Sequence, residues 1–260
     1  MTRISDLHWN LVDARAPRVA SVTLGALQRG GHEYVLGGGW AVFAQVPAAP
    51  SVDCDVYVPG DLPGDVRTEL AKHGIEVGPQ RQVETLGLDS VQELLGTGDT
   101  DLGIPFAGYV PRKLFAGRLQ QRDLRVDPPI SNVVVPDRES LALVKLAALR
   151  DRSLAYRALE DGATMALLDP SRANLIRALS QGYFLRKAGK DLFDMSVLVP
   201  EKRQIAECLA LADRHGILDA IRRWLGKVPA PILDFASDAA ARTEQSDPAA
   251  WLRRVAEATP

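Results

Sequence analysis

Three consecutive glycines, Gly37, Gly38 and Gly39, constrain this chain more than any other feature, because one apolar run enters them and another leaves. Tyr34 to Leu36 predicts a strand, Trp40 to Gln45 a short helix, and Val52 to Val58 a second strand. A strand that opens into a helix through glycines brings backbone N–H groups close to an anion, and a triphosphate suits such a cradle. Side chains alternate along the second strand, so Asp53 and Asp55 project from one face while Val52, Cys54 and Val56 project from the other. Two carboxylates this close resist joint ionisation unless a cation sits between them, and a hard divalent ion such as Mg2+ or Mn2+ takes oxygen ligands. In a two-metal site such ions activate an attacking oxygen, stabilise a leaving oxygen and neutralise phosphoryl charge. Taken singly, the glycines also fit an ordinary tight turn and the aspartates a solvated strand edge.

The remainder of the chain narrows the setting. With 260 residues, 46% of them hydrophobic, it can bury a substantial core without a covalent staple. Only Cys54 and Cys208 are present, far apart, so neither a disulfide framework nor a thiolate zinc site is indicated and a reducing cytoplasm is expected. Met1 to Asn10 alternates charged and apolar types, and no later run has the apolar length of a membrane span, so no membrane partner is expected. A net charge of -2, from 31 basic and 33 acidic residues, gives no global field for nucleic acid. Any such binding must use local patches.

The texture changes near Pro136. Before it, a helix is predicted over Asp65 to His73 and strands at Ile75 to Val77, Gln82 to Leu86, Leu124 to Val126 and Val133 to Val135. After it, helices are predicted over Asp137 to Arg152, Arg172 to Gln181, Lys190 to Val199, Gln204 to His215, Leu218 to Leu225 and Pro248 to Ala258. The expected class is α+β: a mixed sheet with flanking helices over 1–136, then a helical region over 137–260 that completes the site.

Two helical segments carry charge in a pattern. Lys145, Ala148 and Arg152 share one face, forming a basic slot in which Leu141 and Leu149 flank the lysine, and a phosphate is a suitable partner. Further on, Phe184, Ala188, Leu192, Met195 and Val199 form an apolar stripe, with Lys187, Asp191 and Asp194 on another face.

The succession of apolar strand, glycines, short helix and Ser51-Val52-Asp53-Cys54-Asp55 resembles the signature of the DNA polymerase β-like nucleotidyltransferase superfamily. The later blocks, KLxAxxxR at Lys145, Leu146, Ala148 and Arg152 and KDxxD at Lys190, Asp191 and Asp194, are similar to the abortive-infection AbiEii nucleotidyltransferases, a family that includes toxins of toxin-antitoxin pairs. The resemblance covers about residues 34 to 200. It implies transfer of a nucleoside monophosphate from a triphosphate to a hydroxyl, with a tRNA 3' end as acceptor and an antitoxin protein as partner. It implies further that Asp53 and Asp55 hold metal, that Ser51, Gly38, Gly39, Lys145, Arg152 and Lys190 bind the nucleotide, and that Asp191 is catalytically required. Ala49 stands where the family often has an arginine, and Ser153 to Gly189 is a long segment between motifs. For a third carboxylate, Asp127 is the candidate, with Asp89 and Glu84 as rivals.

His8, His32, His73 and His215 show no metal spacing. Trp40 suits either base stacking or the core. Arg112, Lys113, Arg118, Arg122 and Arg125 form the densest basic stretch, a path for RNA phosphates or a solvated face. Two other readings stand beside the toxin: an antibiotic-modifying nucleotidyltransferase, and a catalytically silent nucleotide-binding module.

Overall fold

The computed structural model describes residues 4–48, 51, 54–58, 62–75, 117–160, 170–216 and 218–258. They form a mixed α/β arrangement that is mostly helical, with two small antiparallel sheets. The parallel pairing that a mixed sheet needs is absent among the described residues. The predicted strands at 82–86 and beyond Ile75, with Glu84 and Asp89, lie outside them.

Helix α1, Ile4–Arg29, is an element the sequence reading left unassigned. Its signal is a stripe, Ala20, Thr23, Leu24 and Leu27, all buried at helical spacing. It stops at Gly31, whose φ of +66 lets the His32 N–H reach the Leu27 carbonyl at 3.0 Å and the Gly31 N–H reach Gln28 at 3.1 Å, a Schellman ending. Strand β1, Val35–Leu36, then enters the glycines, α2 spans Gly38–Gln45, and β2 is Val56–Tyr57, paired antiparallel to β1 with Val35 opposite Tyr57. Helix α3, Gly64–Lys72, packs on α1. His32 meets Asp65 at 2.8 Å and so ties the start of α3 to the turn after α1, while His73, the C-cap of α3, meets Glu69 of the same helix at 3.5 Å.

The second sheet is the hairpin of β3, Leu119–Leu124, and β4, Ile130–Pro136. The first of these strands ends where the sequence reading began it, since Leu124 is the buried residue that anchors an otherwise polar strand. Strand β4 lies against β1, and α2 packs on β3.

Helix α4, Arg138–Glu160, follows two residues after Pro136 and runs eight residues past the predicted end at Arg152. Helix α5, Pro170–Leu198, runs unbroken where two separate helices are predicted. Glycine at 182 and 189 reads as a break, yet at Gly189 the missing side chain serves packing: an added Cβ would lie 2.5 Å from the Phe235 ring. Phe235 belongs to α8, Ala230–Arg242, a helix not predicted, whose buried stripe is Ile232, Phe235, Ala236, Ala239 and Ala240. Helices α6, Lys202–Arg214, α7, Leu218–Leu225, and α9, Pro248–Ala258, match expectation within two residues. The α4–α5 pairing is the most extensive in the fold, and buried apolar residues from both sides of Pro136 form one continuous core. No described helix is long and apolar enough to cross a membrane.

Candidate active site

The glycine turn is roofed by the segment that follows it. The Gly37 N–H donates to the Asp55 carbonyl at 2.8 Å, which closes β1 onto β2. Gly38 has φ +55, and a Cβ there would lie 1.9 Å from Asp55 Oδ2. Gly39 faces Ser51 and Gly37 faces the Tyr57 ring equally closely, at 2.6 and 2.5 Å from where a Cβ would stand. Of the strand expected over Val52 to Val58 only Val56–Tyr57 is a strand among the described residues, and Ser51 and Asp55 reach the glycines from the irregular segment before it. Gly37 has no side chain with which to cap α2 and no acidic residue occupies the first turn, so the carboxylate beside this helix end is that of Asp55.

Of the predicted metal ligands, Asp55 is exposed beside Gly38, and its carboxylate is the kind of hard oxygen donor a divalent ion requires. Asp53 lies outside the described residues. Asp127 is exposed at the bend between β3 and β4, on a hairpin that reaches α2 through its other end. Among the described residues no three of His, Cys, Asp and Glu gather as a metal site.

The two later motifs meet each other. Lys145 of α4 is buried, its Nζ 2.9 Å from Asp191 Oδ1 and 2.8 Å from Asp194 Oδ2 of α5. Arg152 pairs with the second oxygen of Asp191, and Lys190 pairs with Asp194. The face of α5 carrying Asp191 and Asp194 is therefore buried, not solvated, and the partner of Lys145 is a pair of carboxylates. Three cations against two carboxylates leave this cluster one positive charge in excess.

Electrostatics in the cluster follow burial first and partners second. Burial raises the Asp191 carboxyl, but Arg152 and Lys145 overcome it and hold the group below its ordinary range. Burial works against the Lys145 ammonium too, and Asp191 and Asp194 reverse the sign and raise it. Arg152 is likewise raised, with Asp191 outweighing burial and a smaller contribution from Asp55. For Lys190 burial wins and its pKa falls. Since Lys190 is buried against Asp194 and stacks over the Phe193 ring, it is the least available of the predicted phosphate contacts.

Tyr57 joins the two halves. Burial and then the Asp55 charge push its phenol up to about 12, while Lys145 pulls it down. Asp55 also raises Arg152, by less than Asp191 and Tyr183 do. Sequence reasoning passed over Tyr57, although it stands two residues after Asp55 in the segment read as the second strand. Trp40 is fully buried and edge-on to Phe43, a core residue.

At the other end of α2 lies an open cleft of about 630 Å³ between that helix and the β3–β4 hairpin, with Arg122, Arg125 and Arg138 on its walls. Gln45 organises it: the amide donates to the Pro136 carbonyl at 2.8 Å, the Arg122 Nε donates to Gln45 Oε1 at 3.2 Å, and Arg138 donates to the Gln45 carbonyl at 3.1 Å. Arg118, by contrast, is held by Asp137 at 2.8 Å. Arg112 and Lys113 lie outside the described residues. Comparison with known proteins gives no relative: no family model, curated protein or solved structure matches the chain.

Proposed function

We propose that this chain is a metal-dependent nucleotidyltransferase that moves a nucleoside monophosphate from a triphosphate to an RNA hydroxyl, with a tRNA 3' end as acceptor, as the toxin of a toxin-antitoxin pair. The observation that supports the reading best is the glycine turn roofed by Ser51 and Asp55 within the electrostatic reach of Lys145 and Arg152. Asp53 and Asp55 would hold the Mg2+, which when bound neutralises phosphate charge and activates the attacking oxygen. Gly38 and Gly39 let the backbone come close to the triphosphate, and Ser51 sits beside them with a hydroxyl. Lys145 and Arg152 would meet the polyphosphate with the cluster's surplus positive charge. Asp191 acts through them: it touches both cations and sets their positions.

In the reaction the acceptor hydroxyl oxygen bonds to the α-phosphorus and the bridging oxygen leaves with pyrophosphate. A polyanionic acceptor suits the arginine-lined cleft, whereas a polycationic aminoglycoside would be repelled there. The test is incubation with each α-labelled triphosphate, Mg2+ and either total tRNA or an aminoglycoside. Label in tRNA is the expected outcome. Label in the drug would assign the antibiotic-modifying reading, and label in neither would leave the silent nucleotide-binding module.

A further inference from the structure

We infer that the cleft between the C-terminal end of α2 and the β3–β4 hairpin is the docking site for the phosphodiester backbone of the RNA acceptor, gripped by Arg122, Arg125 and Arg138. The inference rests on the RNA-acceptor reading above and adds to it a place on the protein. Three observations carry it. Among the described residues none of the three guanidinium groups has a carboxylate partner, while Asp123 is the one acidic residue on the walls. The described residues of the cleft therefore carry two positive charges in excess on a chain whose net charge is -2. Such a local reversal of sign is what a protein without a global basic field needs in order to attract a polyanion.

The walls also have the chemistry of single-strand recognition. Gln121 and Asn132 add side-chain amides, and Phe43 brings an aromatic ring to the rim. Arginine forks match phosphate oxygens in pairs, and an aromatic surface accepts an unstacked base of any sequence. The cleft is open to solvent, as a strand requires.

The geometry joins this cleft to the candidate active site by two routes. Helix α2 has its first turn at the glycines and its last at Gln45, and eight residues at 1.5 Å each make about 12 Å. Along α4, Arg138, Lys145 and Arg152 recur every seven residues and so lie on one face, with Arg138 in the cleft and the other two at Asp191. An RNA strand lying in the cleft has its end within reach of the glycine turn.

The experiment measures binding of fluorescein-labelled total tRNA, without triphosphate, by anisotropy across a salt series. It compares wild type with Arg125→Glu, Arg125→Gln and the Arg122→Gln/Arg125→Gln pair. Among the described residues Arg125 makes no hydrogen bond or ion pair, so its replacements should leave folding intact, which the thermal midpoint verifies. Arg125→Glu should weaken tRNA binding about tenfold, and each lost phosphate contact should lower the slope of log K against log salt by about 1. Unchanged affinity and slope in the paired variant would overturn the assignment, as would wild type failing to bind tRNA. Polyglutamate bound as tightly as tRNA and lost in the same variants would overturn it in favour of an acidic protein. The measurement needs no catalysis, so an inactive protein that binds tRNA through these arginines sinks the transferase reading and leaves the cleft assignment standing.

Discussion

Asp55 occupies the space a side chain at residue 38 would need, its Oδ2 1.9 Å from the Cβ position, and Gly38 at φ +55 is the residue that yields it. The relationship makes Gly38→Ala costly twice over. A left-handed conformation costs an alanine about 1–2 kcal/mol, and the new methyl must also push the carboxylate off its seat. The expected result is a lower urea midpoint together with loss of nucleotidyl transfer. A Gly38→Ala protein with wild-type stability and turnover would show that the seat of Asp55 does not matter.

Asp55→Asn keeps the shape of that contact and removes the charge. If Asp55 holds a divalent ion, transfer should fall on the order of a hundredfold or more, since metal neutralisation of phosphoryl charge supplies several kcal/mol. The fold should persist, because the side chain is exposed. A second readout is independent of activity: the Tyr57 phenol, held at about 12 by burial and then by Asp55, should titrate lower once that charge is gone. Ultraviolet difference titration detects the shift. A phenol that does not move would separate Asp55 from Tyr57 and with it the linkage between the two halves of the site.

Asp191 is the keystone of the buried cluster, so Asp191→Asn should cost about 2–3 kcal/mol, below the 3–5 typical of broken buried pairs because Lys145 retains Asp194 and Arg152 is partly exposed. The pH dependence carries a sign. Its folded pKa is depressed, so its stabilisation is present above the unfolded value of about 3.9 and is lost as pH falls through the folded value. Wild type should therefore lose more stability than Asp191→Asn on acidification below about pH 5. Lys145→Met should couple to Asp191→Asn by about 1–3 kcal/mol in a double-mutant cycle. Additive losses and parallel acid profiles would refute the pairing.

How much of this was legible beforehand depends on what each feature needs. The glycine turn is a local pattern and was legible as such, whereas the strand expected over Val52 to Val58 is a strand at Val56–Tyr57 among the described residues, and Asp53 lies outside them. The slot at Lys145 and Arg152 was legible as a helix face. Its partners were not, because Asp191 lies 46 residues from Lys145 and only the packing of α4 on α5 brings them together. Helix α8 escaped notice because its buried stripe is largely alanine, which carries little contrast in hydrophobicity. The unbroken course of α5 escaped for the opposite reason: Gly189 is a strong local breaker, and its role in admitting Phe235 is visible only in three dimensions. The same holds for the cleft, whose arginines come from a strand, a turn and a helix start.

The two cysteines offer a probe of site occupancy that does not depend on turnover. Cys208 is buried beneath α4, and burial, then the Glu139 charge, push its thiol up to about 12, so almost no thiolate exists at pH 8. Cys54 is half-buried and sits next to Asp55 in the segment over the glycine turn. A thiol reagent at pH 8 should therefore label Cys54 first and reach Cys208 only when denaturant is added, giving an internal reference within one chain. A triphosphate with Mg2+ seated on Gly38 and Gly39 would cover the Asp55 segment and slow Cys54 labelling, on the order of tenfold at saturation if the bound state excludes the reagent. Mass spectrometry of the two peptides over time reads both rates. A Cys54 rate that is the same with and without saturating triphosphate, in a protein whose Cys208 stays protected, would place the nucleotide elsewhere and remove the glycine turn from the site.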